Sequence, residues 1–164
     1  MLQKTRLRHM DVTNSIDVTN SEEVADAIVE ILSAQYPLEE LQLIKLLVAD
    51  FDRLYRGEYP GFHGCDVGYH NNQHVLDVTL AMARLIDGFE KDRPPEEALG
   101  VELALAGIAC ALFHDAGYIR RLRDTRHSNG AEYTRIHVTR SARFLADYLP
   151  SRNLAWAVPV CQCI

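Results

Sequence analysis

The chain has 164 residues, 48% of them hydrophobic and 24% charged, with 17 basic against 23 acidic side chains and a formal net charge of −6. That length suits one domain with a sizeable core, and that balance excludes disordered and fibrous classes. The acidic excess disfavours a polymeric nucleic-acid partner, which needs a basic face, but leaves a single nucleotide admissible.

Residues 1–19 show no steady period and read as a flexible N-terminal arm ahead of a single domain over 20–164. They mix charges with Thr, Asn and Asp instead of a basic start and an apolar run, so no leader is expected. Asn20 or Ser21 before Glu22 and Glu23 has the pattern of a helix cap, and Val24, Ile28, Ile31 and Leu32 form one apolar face. Pro37 permits a second helix, in which Leu41, Ile44, Leu47, Val48, Phe51, Leu54 and Tyr55 recur until Gly57 stops them. Residues 57–68 carry four glycines and a proline and read as a loop.

A third helix is expected from Tyr69, His70 and His74 through Ile86 to about Gly88. Pro94 and Pro95 open a fourth, apolar almost all round from Leu99 to Phe113, which places it at the centre of a bundle. Glu102 interrupts it, and it is too short to span a bilayer, so a cytoplasmic protein with no membrane contact is expected. Residues 119–130 are polar and basic, with Asn129-Gly130 as a turn. Glu132 to Leu149 is a fifth helix closed by Pro150. The apolar segment 154–164 can dock internally or pair two chains as a homodimer, and sequence does not choose. No stretch alternates with period two, so the fold class is an all-α compact bundle.

Cys65, Cys110, Cys161 and Cys163 form no zinc-ribbon pairs, and a chain of this length needs no disulfide framework. Chemistry concentrates elsewhere. His70 and His74 are four apart, a spacing that turns two imidazoles towards one cavity on a helix and equally suits surface or packing roles. His114-Asp115 ends the apolar run, with Gly117 close behind to let the backbone turn. A charged Asp there is costly if buried unpaired; a cation, an internal Arg or a helix N-terminus would compensate it. Imidazole nitrogen and carboxylate oxygen suit Zn, Mn, Fe, Ni or, through the carboxylate, Mg. His127 and His137 can extend such a site or be incidental. Arg120, Arg121, Arg123 and Arg126 make a solvated basic face or attract a phosphate ester.

Tyr69-His70-Asn71-Asn72-Gln73-His74-Val75-Leu76-Asp77-Val78, followed by Leu112-Phe113-His114-Asp115-Ala116-Gly117, resembles the signature of the HD-domain superfamily of metal-dependent phosphohydrolases. Within it, the likeness is closest to the catalytic domains of class I 3',5'-cyclic nucleotide phosphodiesterases. The resemblance covers about residues 60–150 and implies a compact HD-type helical bundle. It makes His74, His114 and Asp115 ligands of one or two divalent ions and His70 the general acid, with metal-bound hydroxide attacking phosphorus. Additional metal or phosphate contacts would come from His127, His137 and Arg126. Residues 116–119 read Ala-Gly-Tyr-Ile where the phosphodiesterases have a further His. No Asp follows Asp147, so the likeness also implies a domain without its C-terminal helices and their last ligand.

The expected function is metal-dependent hydrolysis of a small phosphorylated substrate, most directly a nucleotide-type phosphodiester. Two alternatives are a metal-binding HD-type sensor or interaction module with weak catalysis, and an ordinary helical protein with incidental histidines. Kinase or NTPase chemistry is not expected, since no Gly-rich phosphate loop followed by Lys and Ser/Thr is present.

Overall fold

Local signals set most of the helix ends. The Asn20 side chain accepts hydrogen bonds from the Glu22 and Glu23 amides and starts α1, Ser21–Leu32, satisfying donors that the first helical turn leaves unpaired. Pro37 precedes α2, Leu38–Arg56, which ends at Gly57 in the left-handed region (φ 79°), a conformation that glycine adopts at little cost. Asn71 accepts from the His74 amide and caps α3, Asn72–Glu90. The remaining helices are α4, Val101–Phe113, α5, His137–Ser151, and the short α6, Val158–Cys161. The computed structural model describes residues 9–91 and 93–162. Among these there is no strand, only single pairings of Met10 with Asp17 and Phe62 with Arg121, and the chain is an all-α bundle.

Helix α4 is the central element. It packs against α2, α3 and α6, while α1 lies across α2 and α3. Ala104, Ile108, Ala109, Leu112 and Phe113 are all but excluded from solvent, which accounts for a helix that is apolar almost all round. The window from Val101 to Tyr118 matches a membrane span in length and composition, yet 67% of it is buried within the bundle.

Four expectations need correction. The fourth helix does not open at Pro94-Pro95. A single tight turn occupies Pro95–Glu97, and Gly100, at φ 80°, separates it from α4. The fifth does not begin at Glu132. Asn129 and Glu132 form a reciprocal capping box around a tight turn, Gly130–Tyr133, and α5 starts only at His137 and continues through Pro150. His70 lies outside α3, ahead of its cap.

The fourth correction concerns the arm. Residues 9–19 pack onto the bundle: Val18 and Asp11 are fully buried. The Asp11 carboxylate accepts from the Thr13, Ser15 and Ile16 amides and from Arg84 at 2.5 Å. Residues 1–8 lie outside the described residues. Burial works to raise the Asp11 pKa, but bonds from Thr13, Ser15, Arg84 and Ile16 hold it well below the usual carboxylate range. A depressed carboxylate contributes stability above its unfolded value, and that contribution is lost as pH falls towards the folded one. Asp11→Ala should therefore cost about 3 kcal/mol at neutral pH, the low end for a broken buried pair because Arg84 keeps some water. Denaturant melts should show the gap to the parent narrowing below about pH 4; a gap independent of pH would refute the ionic account.

Segment 154–162 docks in part. Leu154, Ala157 and Cys161 are buried, whereas Trp156 and Val160 are exposed. Cys65, Cys110 and Cys161 form no disulfide among the described residues, and Cys163 lies outside them.

Candidate metal centre

The site is assembled around one carboxylate. Asp115 follows the last turn of α4 and opens a tight turn, Ala116–Tyr118, so the backbone leaves the helical path as it passes the His-Asp pair. Its side chain is 2% exposed, and Oδ2 lies 2.7 Å from His70 Nδ1, 3.1 Å from His114 Nε2 and 3.6 Å from His74 Nε2. His137 Nε2 stands 3.9 Å from Oδ1. Four imidazoles from four different places in the chain thus face one buried oxygen pair.

The second nitrogen of each ring tells which atom is available. His114 Nδ1 donates to the Ala111 carbonyl at 2.8 Å and His137 Nδ1 to the Thr134 carbonyl at 2.7 Å. A backbone carbonyl in that position fixes the tautomer and leaves Nε2 free to bind a cation, the usual support for a ligating imidazole. His70 is held differently. Its Nδ1 meets Asp115, and its own carbonyl accepts from the Cys65 thiol at 3.3 Å. The loop thus carries His70 to the carboxylate, although it is not on the helix that carries His74.

Electrostatics agree with a cationic requirement. Burial works to raise the Asp115 pKa, yet bonds and charge from His114 and His70 lower it, so the site favours the ionised carboxylate. Burial lowers His74, and the nearby His114 and His70 add to this against the pull of Asp115, so its ring favours the neutral form a metal needs. His114 is shifted up: burial opposes protonation, but Asp115 and the Ala111 carbonyl outweigh it. One buried anion among imidazoles needs a positive partner, and either a metal or an imidazolium provides it. Ligand atoms of His70, His74 and Asp115 lie within 4.8 Å of one another. These donors fit a divalent ion.

Of the residues singled out from sequence, the structure brings together His70, His74, His114, Asp115 and His137. It places His127 elsewhere: His127 Nδ1 bonds Asp124 at 2.9 Å, and Tyr133 donates to the same carboxylate. Arg126 lines a hollow with Arg121, Arg123 and Arg140, apart from the imidazoles. Both therefore stand away from the carboxylate of Asp115, because the 119–130 loop folds back on itself through Asp124.

Tyr118 went unnoticed in the sequence. Its ring stacks against both His70, at 4.5 Å, and His137, at 4.4 Å, and it is almost fully buried. Its position three residues after Asp115 was the available signal. Gly117 matters by what it lacks. A Cβ there would collide with the His137 carbonyl and the Arg140 Cβ. The Gly117 amide donates to Ser141 Oγ, which donates to the His114 carbonyl. Gly117→Ala should destabilise the metal-free protein by about 3 kcal/mol through overpacking and loosen His137; an unchanged melting curve would disprove so close an approach.

The fold and site together define an all-helical protein with a histidine-carboxylate cluster able to hold a metal ion. Comparison of the chain with family models, curated proteins and solved structures returns no match.

Proposed function

We propose that the chain is a metal-dependent phosphohydrolase of the HD-domain type, acting on a nucleotide-type phosphodiester, with a 3',5'-cyclic nucleotide the first candidate. The observation that carries this reading is the convergence of His70, His74, His114 and His137 on the buried Asp115 carboxylate. The likeness of residues 69–78 and 112–117 to the HD signature supports it.

In this reading His74, His114 and Asp115 hold the metal, with His137 beside them as a further nitrogen. A bound divalent ion supplies Lewis acidity and positive charge for the phosphoryl oxygens. Asp115 accepts from the His70 Nδ1–H and so orients the ring, leaving Nε2 as the atom that gives a proton to the departing ester oxygen. Tyr118, stacked on the same ring, restrains its plane. His70 acts as acid while its neighbours stay neutral as ligands.

A second reading, a metal-binding module with weak catalysis, is favoured by the presence of only one carboxylate in the grouped ligands among the described residues. Elemental analysis of protein purified without chelator or metal-affinity resin separates the two, followed by a screen of cyclic and linear phosphate esters with Mn, Zn, Fe, Ni and Mg. The hydrolase reading expects one or two metal equivalents and turnover of at least one ester. Metal without turnover of any ester selects the module. A protein that stays empty when supplied with each ion removes both.

A further inference from the structure

Beyond the histidine cluster, and sharing neither its imidazoles nor its carboxylate, is a second concave space. A cavity of about 380 Å³ is lined by Phe62, Phe144, Arg121, Arg123, Arg140 and Arg143, together with the backbone-dominated turn at Ala116 and Gly117. An adjoining hollow of about 400 Å³ shares Arg121, Arg123 and Arg140 and adds Arg126, Thr125 and the Asp124 carboxylate. Five guanidiniums therefore border these two neighbouring hollows in a chain whose net charge is −6.

Guanidinium stays charged at any working pH, so gathering five costs repulsion that something must offset. Two carboxylates at the lining, Asp147 and Asp124, offset part of it. Asp147 approaches Arg121 at 3.5 Å but is 78% exposed, and Asp124 is occupied by His127 and Tyr133. Among the described residues Arg123, Arg126 and Arg143 have no ion-pair partner. Two of the five are anchored. Arg140 donates to the Gly117 and Ile119 carbonyls at 2.6 and 3.0 Å and lies 3.5 Å over the Tyr133 ring. Arg121 lies 4.9 Å over the Phe62 ring. Burial disfavours the Arg140 charge, nearby Asp124 favours it, and Arg121 and Arg143 work against it, with the balance below the usual arginine range; a bound anion would add to the pull of Asp124.

We propose that this arginine-lined space binds a small organic di- or triphosphate, at a site separate from the metal centre. Planar guanidinium forks match phosphate oxygens two at a time, and several around one space suit adjoining phosphates better than a single charge. Phe62 and Phe144 offer an apolar surface to the organic part, and the volume falls within the range of small-molecule sites. The site stands whether or not the metal centre hydrolyses anything.

The test is calorimetric titration of the full chain, kept in chelator, with inorganic pyrophosphate and with ADP. Saturable binding of one equivalent is expected, tighter for ADP, weakened by added salt and unchanged in His74→Ala. The exposed pair Arg123→Gln with Arg143→Gln should weaken it at least about tenfold, the scale of a lost charge-assisted hydrogen bond, with an unaltered melting curve showing that the fold survives. No saturable binding of either probe would overturn the proposal. So would equal binding by the arginine double variant, loss of binding in His74→Ala, or sulfate competing equally at matched ionic strength.

Discussion

Asp115→Asn is expected to lose its metal while the helical bundle stays folded. Asp115 is the only carboxylate in the group of ligand atoms it forms with His70 and His74, and His114 and His137 face it too. Neutralising it removes the one anionic donor. The affinity should fall by more than about a hundredfold, a factor that even an outer-shell partner can command, and elemental analysis reads it directly. In the metal-free state the same change has a second signature. His114 is raised because bonds to Asp115 and Ala111 overcome the effect of burial; without the carboxylate it should drop, which a proton NMR titration of the imidazoles follows.

The sign of the pH dependence follows from both shifts. Asp115 is lowered, so its contribution to stability is present above its unfolded value near pH 4 and is lost as pH falls through the folded one. His114 is raised, so its contribution is complete below its unfolded value near 6.5 and is lost as pH rises through the folded one. The stability difference between metal-free parent and Asp115→Asn should therefore be largest between about pH 4 and 6.5. Metal uptake must displace the His114 proton, so affinity should rise with pH where that stability declines. A variant that keeps its metal would mean the imidazoles suffice, and the centre would not be built on Asp115.

His70→Ala is the variant with the largest expected effect on turnover alone. Under the proposed assignment the protein keeps its metal through His74, His114 and Asp115, while hydrolysis of a responsive ester falls by about 10²–10⁴, the span of general acid catalysis. The loss should be smaller for esters with a better leaving group, since such a group needs less protonation. The geometry makes this a demanding test. His70 Nδ1 stands 2.7 Å from Asp115, nearer than any other imidazole, and its ligand atom falls within the same 4.8 Å group as those of His74 and Asp115. Equal loss of metal in His70→Ala and His74→Ala would make His70 a ligand and end its role as acid.

Features governed by neighbours in sequence were legible before the fold was known. Asn20 and Gly57 mark helix ends because capping and left-handed backbone depend on a few adjacent residues. The apolar run ending in His114-Asp115 gave away both the central helix and the most informative pair, since a charge after such a run needs an explanation. The start of the fifth helix was misread for a matching reason. Glu132 carries a strong N-terminal signal, but its capping box closes a separate turn over Gly130–Tyr133, and periodicity alone cannot tell one turn from the start of a helix. Residues 9–19 looked featureless because Val18 and Asp11 are held by distant partners, Arg84 among them.

By itself, then, the sequence determined the helical class and the central position of α4, which follow from spacing and local polarity, while the choice of His74, His114 and Asp115 as a candidate set came from the likeness to the HD signature. Only the tertiary structure decided which other side chains join them. His137 enters because α5 docks against Gly117, where any Cβ would keep it away; His127 is left out because Asp124 takes its ring. Tyr118 became part of the site by stacking against two histidines 67 residues apart, His70 and His137. The arginines at 121, 123, 126, 140 and 143 border two neighbouring hollows only because the loop after Asp115 and helix α5 lie together. Convergence of this kind depends on packing between distant segments, and no short-range pattern encodes it.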